Sequence, residues 1–404
     1  MRVKIYKGKA SGKVYAPPSK SMAHRLLISA GLSEGKSVIR GLSESEDILA
    51  TIDCLRSLGA ECDLKDGVAT VQGVDIKNTD INGELHCRES GSTMRFFIPI
   101  ALATGKMVNL SGADRLLSRP LEVYKNLCEE SGMLFSQDES KVTVRGPLKS
   151  GNYKVKGNIS SQFISGLLFV LPLLDKDSII SIIPPVESRS YIDLTISALK
   201  EFGVAVEWKD EFTLFICGNQ KYNSLDTFVE GDYSNAAFLS AFNYIGGEVS
   251  VEGLRPDSIQ GDRVYGRMFD SIAKGTPAIH ISDCPDLGPI LFALSSAKFG
   301  GIFTGTERLK IKESDRVAVM AEELRKFGAV VEDKEDSVVV FPKDFRAPNE
   351  ALYGHNDHRV VMSLSVLLTL TGGEISGAEA VNKSFPEFFD KLEDLGIKVE
   401  KYDD

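Results

Sequence analysis

The sequence predicts an α/β protein of the α+β type, arranged as two pseudo-symmetric domains of three helix–strand–helix–strand–strand units each. Three observations carry this expectation. A helix–glycine–strand pattern recurs, a more apolar helix precedes each recurrence, and the chain has 404 residues, more than one hydrophobic core usually serves.

The pattern runs from Asp47 to Gly59, Pro120 to Gly132, Tyr191 to Gly203, Arg263 to Gly275, Arg316 to Gly328 and Ser384 to Gly396. The glycine lies twelve residues after the first residue each time. Apolar residues fall at helical spacing in between, as Val317, Met320, Ala321, Leu324 and Phe327 do. The glycine predicts a left-handed cap, and an extended segment follows it.

The more apolar helices are expected to start near Lys20, Gly91, Ser161, Asp232, Asp286 and Asp357. Their spacings are 71, 70, 71, 54 and 71 residues, so only the fourth unit is abbreviated. Each runs into a small turn and a strand, as at Thr104-Gly105-Lys106, Gly246-Gly247-Glu248 and Gly372-Gly373-Glu374. Three units fall in 18–229 and three in 230–404. The last has no room before Asp404 for its final strand. The segment Arg2–Gly8, continuing to Tyr15, is expected to supply the missing pairing. The second domain then comprises 1–17 plus 230–404, the two crossings near 17 and 229 form the hinge, and the active site is expected in the cleft between the domains. No Pro/Gly/Ser-rich linker separates them, so a close-coupled pair is expected.

With 43% hydrophobic and 26% charged residues, the composition is that of a soluble globular protein. Met1–Lys7 has no apolar core of the signal-peptide kind. The apolar stretches Ile164–Leu174 and Val360–Leu370 stop short of the roughly 20 residues of a membrane helix. A cytoplasmic protein with no membrane partner is expected. The net charge of −10 argues against nucleic acid as well. The six cysteines form no C-x-x-C pair and are read as reduced thiols. His355 and His358 form an H-x-x-H without an evident third ligand, so no metal site is expected.

The chemistry gathers at the first residues of the helices. The apolar helices open with Pro18-Ser19-Lys20-Ser21-Met22-Ala23-His24-Arg25, Glu89-Ser90-Gly91-Ser92-Thr93-Met94-Arg95, Ser160-Ser161-Gln162-Phe163, Pro285-Asp286-Leu287-Gly288 and Asn356-Asp357-His358-Arg359. The polar helices open with Ser118-Arg119-Pro120, Ser188-Arg189-Ser190-Tyr191, Lys312-Glu313-Ser314-Asp315-Arg316 and Lys383-Ser384-Phe385-Pro386. Helix N-termini offer unpaired N–H groups and partial positive charge, which suits phosphate and carboxylate. Ser314 and Asp47 read as ordinary caps. Cations do not, because Arg or Lys in a first turn opposes the dipole, and that inversion is expected at Arg119, Arg316, Arg359 and Lys383. With Lys20, Arg25, Arg95 and Lys312 they imply ligands carrying several negative charges.

From S-K-S-x-x-x-R at Ser19–Arg25, through G-S-T-M-R, S-S-Q-F, K-E-S-D-R and N-D-H-R, to K-S-F-P at Lys383–Pro386, the chain resembles the 3-phosphoshikimate 1-carboxyvinyltransferases, or EPSP synthases. The resemblance implies an inverse α/β barrel in each of two domains, and enolpyruvyl transfer from phosphoenolpyruvate to the 5-hydroxyl of shikimate 3-phosphate through a tetrahedral adduct. It needs neither cofactor nor metal, and implies a monomer whose hinge closes on its ligands. It assigns shikimate 3-phosphate to Lys20, Ser21, Arg25, Ser160, Ser161, Gln162, Ser188, Tyr191, Asp286 and Lys312. It assigns phosphoenolpyruvate to Lys20, Gly91, Arg119, Gln162, Arg316, Arg359 and Lys383. Proton transfer falls to Asp286, Glu313 and Lys20.

The chain departs from the family pattern at Pro18, where many relatives carry glycine, at Glu89, where many carry asparagine, and at Arg308, which replaces an asparagine ligand of some relatives. Two rivals predict other residues. The sister transferase acting on UDP-N-acetylglucosamine usually has a reactive cysteine in the loop matching Ser111–Arg119, where this chain has none, and an asparagine in place of Ser21. A non-catalytic anion-binding scaffold would be free to lose Lys20, Asp286, Glu313 or Lys383, and all four are present.

Overall fold

The structure, a computed structural model, describes every residue except Asp80, Asn82, Asp403 and Asp404, so the last two residues of the expected second domain lie outside it. The chain divides into two compact units, Pro18–Glu230, and Met1–Pro17 with Gly231–Asp404.

Six apolar helices span Lys20–Gly31, Gly91–Ala103, Ser161–Val170, Tyr233–Ala241, Gly288–Ala297 and His358–Thr371. Five are capped by the side chain just ahead of them: Ser19, Ser90, Ser160, Asp232 and Asp357 each accept from a backbone N–H two or three residues on. The fifth helix in chain order differs. A tight 3-10 turn, Pro285–Leu287, precedes it and carries Asp286. These helices are apolar nearly all round, which is why they fill the interior of each unit. Phe96 packs edge-on to Phe169 at 5.3 Å in Pro18–Glu230, as Phe292 does to Phe303 at 5.0 Å in the other unit. Each such fully buried side chain contributes about 2–3 kcal/mol.

The polar helices span Glu46–Ser57, Glu122–Glu130, Arg189–Glu201, Tyr265–Lys274, Arg316–Lys326 and Phe388–Asp394. Five of their glycines adopt the left-handed conformation, with φ from +68° at Gly132 to +100° at Gly59. Gly275 does not: its φ of 165° is extended backbone. The reason lies in the abbreviated unit, where no hairpin follows the helix and nothing demands the turn.

The sheets add one strand to the expected unit. In four units a short strand lies just ahead of the apolar helix: Glu84–His86, Asn152–Lys156, Ala278–His280 and Leu352–Tyr353. It pairs in parallel with the strand that follows the helix, as a helical crossover allows. The first unit takes its parallel strand from Asp226–Phe228, beside Lys36–Arg40, and the fourth from Ser11–Tyr15, beside Glu248–Glu252. An antiparallel hairpin completes the four-stranded sheets of the first, second, third and fifth units, whereas the fourth unit's sheet has two strands. In the sixth unit Arg2–Ile5 takes the place of a hairpin strand, lying antiparallel between Gly373–Ser376 and Val399–Tyr402.

Candidate active site

Within Gly231–Asp404, the motif residues meet around one guanidinium. Arg316 is the first residue of its helix and only 1% exposed. Its Nη1 donates to Asp286 Oδ1 at 2.8 Å, its Nη2 to Glu313 Oε2 at 2.7 Å, and its Nε to Asp357 Oδ2 at 2.9 Å. Arg359 Nη2 reaches Asp286 Oδ2 at 3.2 Å, and Lys312 Nζ lies 3.6 Å from Asp286 Oδ1. Lys383 Nζ donates to the Asn356 carbonyl at 2.7 Å, beside Asp357 in sequence. Asp286, Lys312, Glu313, Arg316, Arg359 and Lys383 thus share one neighbourhood.

Burial opposes charge on Asp286, yet Arg359, Lys312 and Arg316 hold its carboxyl well below the usual carboxylate range. Burial, against the pull of Asp286, pushes the Lys312 ammonium down to about 8, and Arg308 and Arg316 add to the fall. A quarter of the Lys312 side chain still meets solvent, which moderates it. Arg308, a departure from the family pattern, is buried at 6% exposure on the 3-10 turn Glu307–Ile311 just before Lys312.

Within Pro18–Glu230 the candidates fall into three linked groups. Lys20 Nζ, at the first residue of its helix, pairs with Asp47 Oδ2 at 2.6 Å. Arg25 is 2% exposed, and burial lowers its pKa to about 10, so it stays cationic at neutral pH. It donates to Thr195 Oγ1 at 2.8 Å and to the carbonyls of Ser21 and Tyr191 at 2.5 and 3.0 Å, tying two helix starts together. Ser188, ahead of the same polar helix, is buried with φ at 54°, and its carbonyl accepts from the Tyr191 N–H at 3.0 Å. The third group is Gly91, Arg95, Arg119 and Gln162. Arg95 Nη1 donates to Gln162 Oε1 at 2.7 Å, and a Cβ at Gly91 would lie 2.5 Å from Arg119 Nη1. Ser160 caps the helix that Ser161 and Gln162 begin.

Two of the four expected dipole inversions hold, at Arg316 and Arg359. Arg119 instead follows the short helix Asp114–Leu117, and Lys383 ends the 3-10 turn Ala378–Lys383. The regular helices that follow begin only at Glu122 and Phe388. The cap readings of Ser314 and Asp47 also give way. Asp315 caps its helix, while Ser314 donates to Asp357 Oδ2 at 3.0 Å. Asp47 already lies inside the helix Glu46–Ser57.

A family model described as EPSP synthase (3-phosphoshikimate 1-carboxyvinyltransferase) matches residues 6–392. The chain belongs to the EPSP synthase family. Among its relatives, the 3-phosphoshikimate 1-carboxyvinyltransferase of Clostridium botulinum (strain Alaska E43 / Type E3) is 39% identical over 97% of both chains. That of Clostridium novyi (strain NT) is 39% identical over 99% of this chain and 98% of its own. A solved EPSP synthase from Acinetobacter baumannii superposes with a TM-score of 0.80 over the whole of both chains, at 23% identity. A second, also from A. baumannii, gives 0.78 over 99% of this chain and all of its own, at 24% identity. These two show that the fold is that of EPSP synthases.

Two features stand apart from these residues. Glu322, Glu323 and His355 bring one ligand atom each within 4.8 Å of one another. Glu323 Oε1, however, already accepts from Lys326 at 3.1 Å and lies 3.0 Å from His355 Nε2, as in an ordinary ion-pair cluster. A cavity of about 570 Å³ in Pro18–Glu230 is lined in part by Lys149, Lys154 and Lys156. It includes none of the candidate residues, and two of its lysines lie on an edge strand, where lysine commonly blocks strand pairing.

Proposed function

We propose that the anion-facing residues of both units carry out the family's reaction in this chain as follows. The chain is a transferase that moves the enolpyruvyl group of phosphoenolpyruvate onto shikimate 3-phosphate, a step in aromatic amino acid biosynthesis. Asp286 accepts the proton of the substrate's 5-hydroxyl as that oxygen bonds to the central carbon of phosphoenolpyruvate. The methylene carbon gains a proton from Glu313 or Lys20, giving a tetrahedral adduct. Elimination removes a proton from the new methyl group and expels inorganic phosphate. Lys20, Ser21, Arg25, Ser160, Ser161, Gln162, Ser188, Tyr191, Asp286 and Lys312 hold shikimate 3-phosphate. Lys20, Gly91, Arg119, Gln162, Arg316, Arg359 and Lys383 hold phosphoenolpyruvate. No step calls for a metal or cofactor, and the enzyme is taken as a cytoplasmic monomer.

The observation that supports these roles most is the convergence of Arg316, Arg359 and Lys312 on Asp286. Three cations on one carboxylate make it a weak base. Anionic substrates that draw on the same cations would leave Asp286 more basic when the 5-hydroxyl arrives. Phosphate release tests the assignment. Purified protein with EDTA should release phosphate only when phosphoenolpyruvate and shikimate 3-phosphate are both present. No release would favour a binding scaffold, and release only with UDP-N-acetylglucosamine would favour the sister transferase.

Two further results are expected. Lys312 loses its charge as pH rises through about 8, and the charged form is the one that attracts the anion. KM for shikimate 3-phosphate should therefore be flat below pH 7.5 and rise roughly tenfold per pH unit well above 8. Lys312→Arg should flatten that rise, and a wild-type KM constant to pH 9.5 would contradict it. In Gly91→Ala the new Cβ meets the far end of the flexible Arg119 side chain rather than backbone, so the fold should tolerate it. The displaced guanidinium should cost about one charged hydrogen bond, raising KM for phosphoenolpyruvate about tenfold or more with Tm nearly unchanged. An unaltered KM would mean that Arg119 does not hold this substrate.

A further inference from the structure

We propose that Asp357 is a positioning residue for the phosphoenolpyruvate-side arginines: it is the permanent partner of Arg316, while Asp286 and Glu313 are partners that substrate anions replace. This rests on the substrate assignment above.

Asp357 does more than a helix cap requires. As the N-cap of His358–Thr371 it accepts from the Arg359 N–H through Oδ1 at 2.9 Å. Its Oδ2 takes Arg316 Nε at 2.9 Å and Ser314 Oγ at 3.0 Å, and Oδ1 also lies 3.4 Å from Arg316 Nη2. A serine or asparagine would satisfy the cap as well. Only a carboxylate offers acceptors to the cap and to both nitrogens of one guanidinium edge at once.

Exposure divides the three acids around Arg316. The side chain of Asp357 is wholly buried, whereas Asp286 and Glu313 are 20% and 21% exposed. Arg316 itself is 1% exposed. An incoming anion can compete for the Nη1 and Nη2 contacts that Asp286 and Glu313 now make. It has no route to the Nε contact with Asp357. Arg316 is thereby pinned at one edge and offers the other. The carboxylate that sets its plane also fixes the backbone start of the helix carrying Arg359, so one residue holds both arginines in register.

The exchange also leaves Asp286 and Glu313 free for proton transfer at the moment substrate binds. A fixed third carboxylate keeps Arg316 from following the ligand.

Asp357→Asn removes the charge and, with its oxygen kept on the cap, turns the acceptor towards Arg316 Nε into an amide donor. Binary binding of shikimate 3-phosphate by calorimetry should stay within threefold. KM for phosphoenolpyruvate should rise tenfold or more, while kcat at saturation falls less than threefold. An unchanged KM for phosphoenolpyruvate, or equal losses for both substrates, would overturn the proposal. A variant that does not fold leaves the wild-type protein to decide. With 15N-arginine labelling, a slowly exchanging Nε–H resonance, absent in Arg316→Lys, should persist when shikimate 3-phosphate and inorganic phosphate are added. Its loss on addition would show that the ligand pulls Arg316 away from Asp357. Failure of the wild-type enzyme to turn over the two substrates would sink the substrate assignment instead, and the ligand-free resonance would still report the Asp357 contact.

Discussion

Asp286→Asn should lower kcat by roughly 10²- to 10⁴-fold, the span typical of a lost general base, without weakening phosphoenolpyruvate binding. The two halves of this expectation come from the same contacts. Asp286 meets Arg316, Arg359 and Lys312 together, so it competes with substrate anions for those cations. Asparagine removes the competitor as well as the base. KM for phosphoenolpyruvate should stay level or fall, and binary binding of shikimate 3-phosphate should persist. Glu313→Gln should also lose most turnover with that binding retained. A variant with near-normal kcat would remove its residue from proton transfer. A large rise in KM for phosphoenolpyruvate in Asp286→Asn would show that the carboxylate organises the cations rather than competing for them.

Arg316→Lys should lower kcat/KM for phosphoenolpyruvate by about 100- to 1000-fold while keeping the formal charge. Lysine is a compact point charge and cannot serve three carboxylates with a planar fork. Arg316 now donates to Asp286, Glu313 and Asp357 at 2.7–2.9 Å. Losing two charged hydrogen bonds, at about 1.5–3 kcal/mol each, accounts for an effect of that size. Stability should fall too, because Asp357 has no exposure through which water could replace the lost donors. Breaking one side of such a buried pair costs about 3–5 kcal/mol, and a retained ammonium should recover part of that. Thermal melting and steady-state kinetics read both effects. A loss of less than tenfold in kcat/KM would mean that charge alone suffices at this position.

The helix register was legible because it rests on period and caps, which a single chain displays. Ser19, Ser90, Ser160, Asp232 and Asp357 stand where capping places them, ahead of long apolar runs. The shortest extra strands were not legible. Leu352–Tyr353 has two residues and Glu84–His86 three, too few for alternation to show. Arg119 and Lys383 were read into the first turns of the helices that follow, but each ends or follows a short helical turn and the regular helices begin only at Glu122 and Phe388.

Lys20, Arg316 and Arg359 could be found because they violate a local rule, while their acid partners obey it. Asp47 and Asp357 look in sequence like any acid near a helix start. Nothing in one chain says that Asp47 lies 2.6 Å from Lys20 across 27 residues, or that Asp357 meets Arg316 across 41. Reading acids near one helix start as partners for cations at another, within the same repeat or between neighbours, is the signal that could have found them.

Arg316 and Arg359, in the first turns of their helices, are expected to act with Arg119 and Lys383, which end or follow short turns, in holding the anionic substrates and leaving Asp286 to take the proton. A crystal structure of the enzyme with shikimate 3-phosphate and a non-reactive phosphoenolpyruvate analogue tests this most directly. The expected result puts the shikimate phosphate on Ser160, Ser161 and Gln162, the analogue on Arg119, Arg316, Arg359 and Lys383, and Asp286 within hydrogen-bond reach of the 5-hydroxyl. Ligands seated away from these residues, or a 5-hydroxyl out of reach of Asp286, would contradict it.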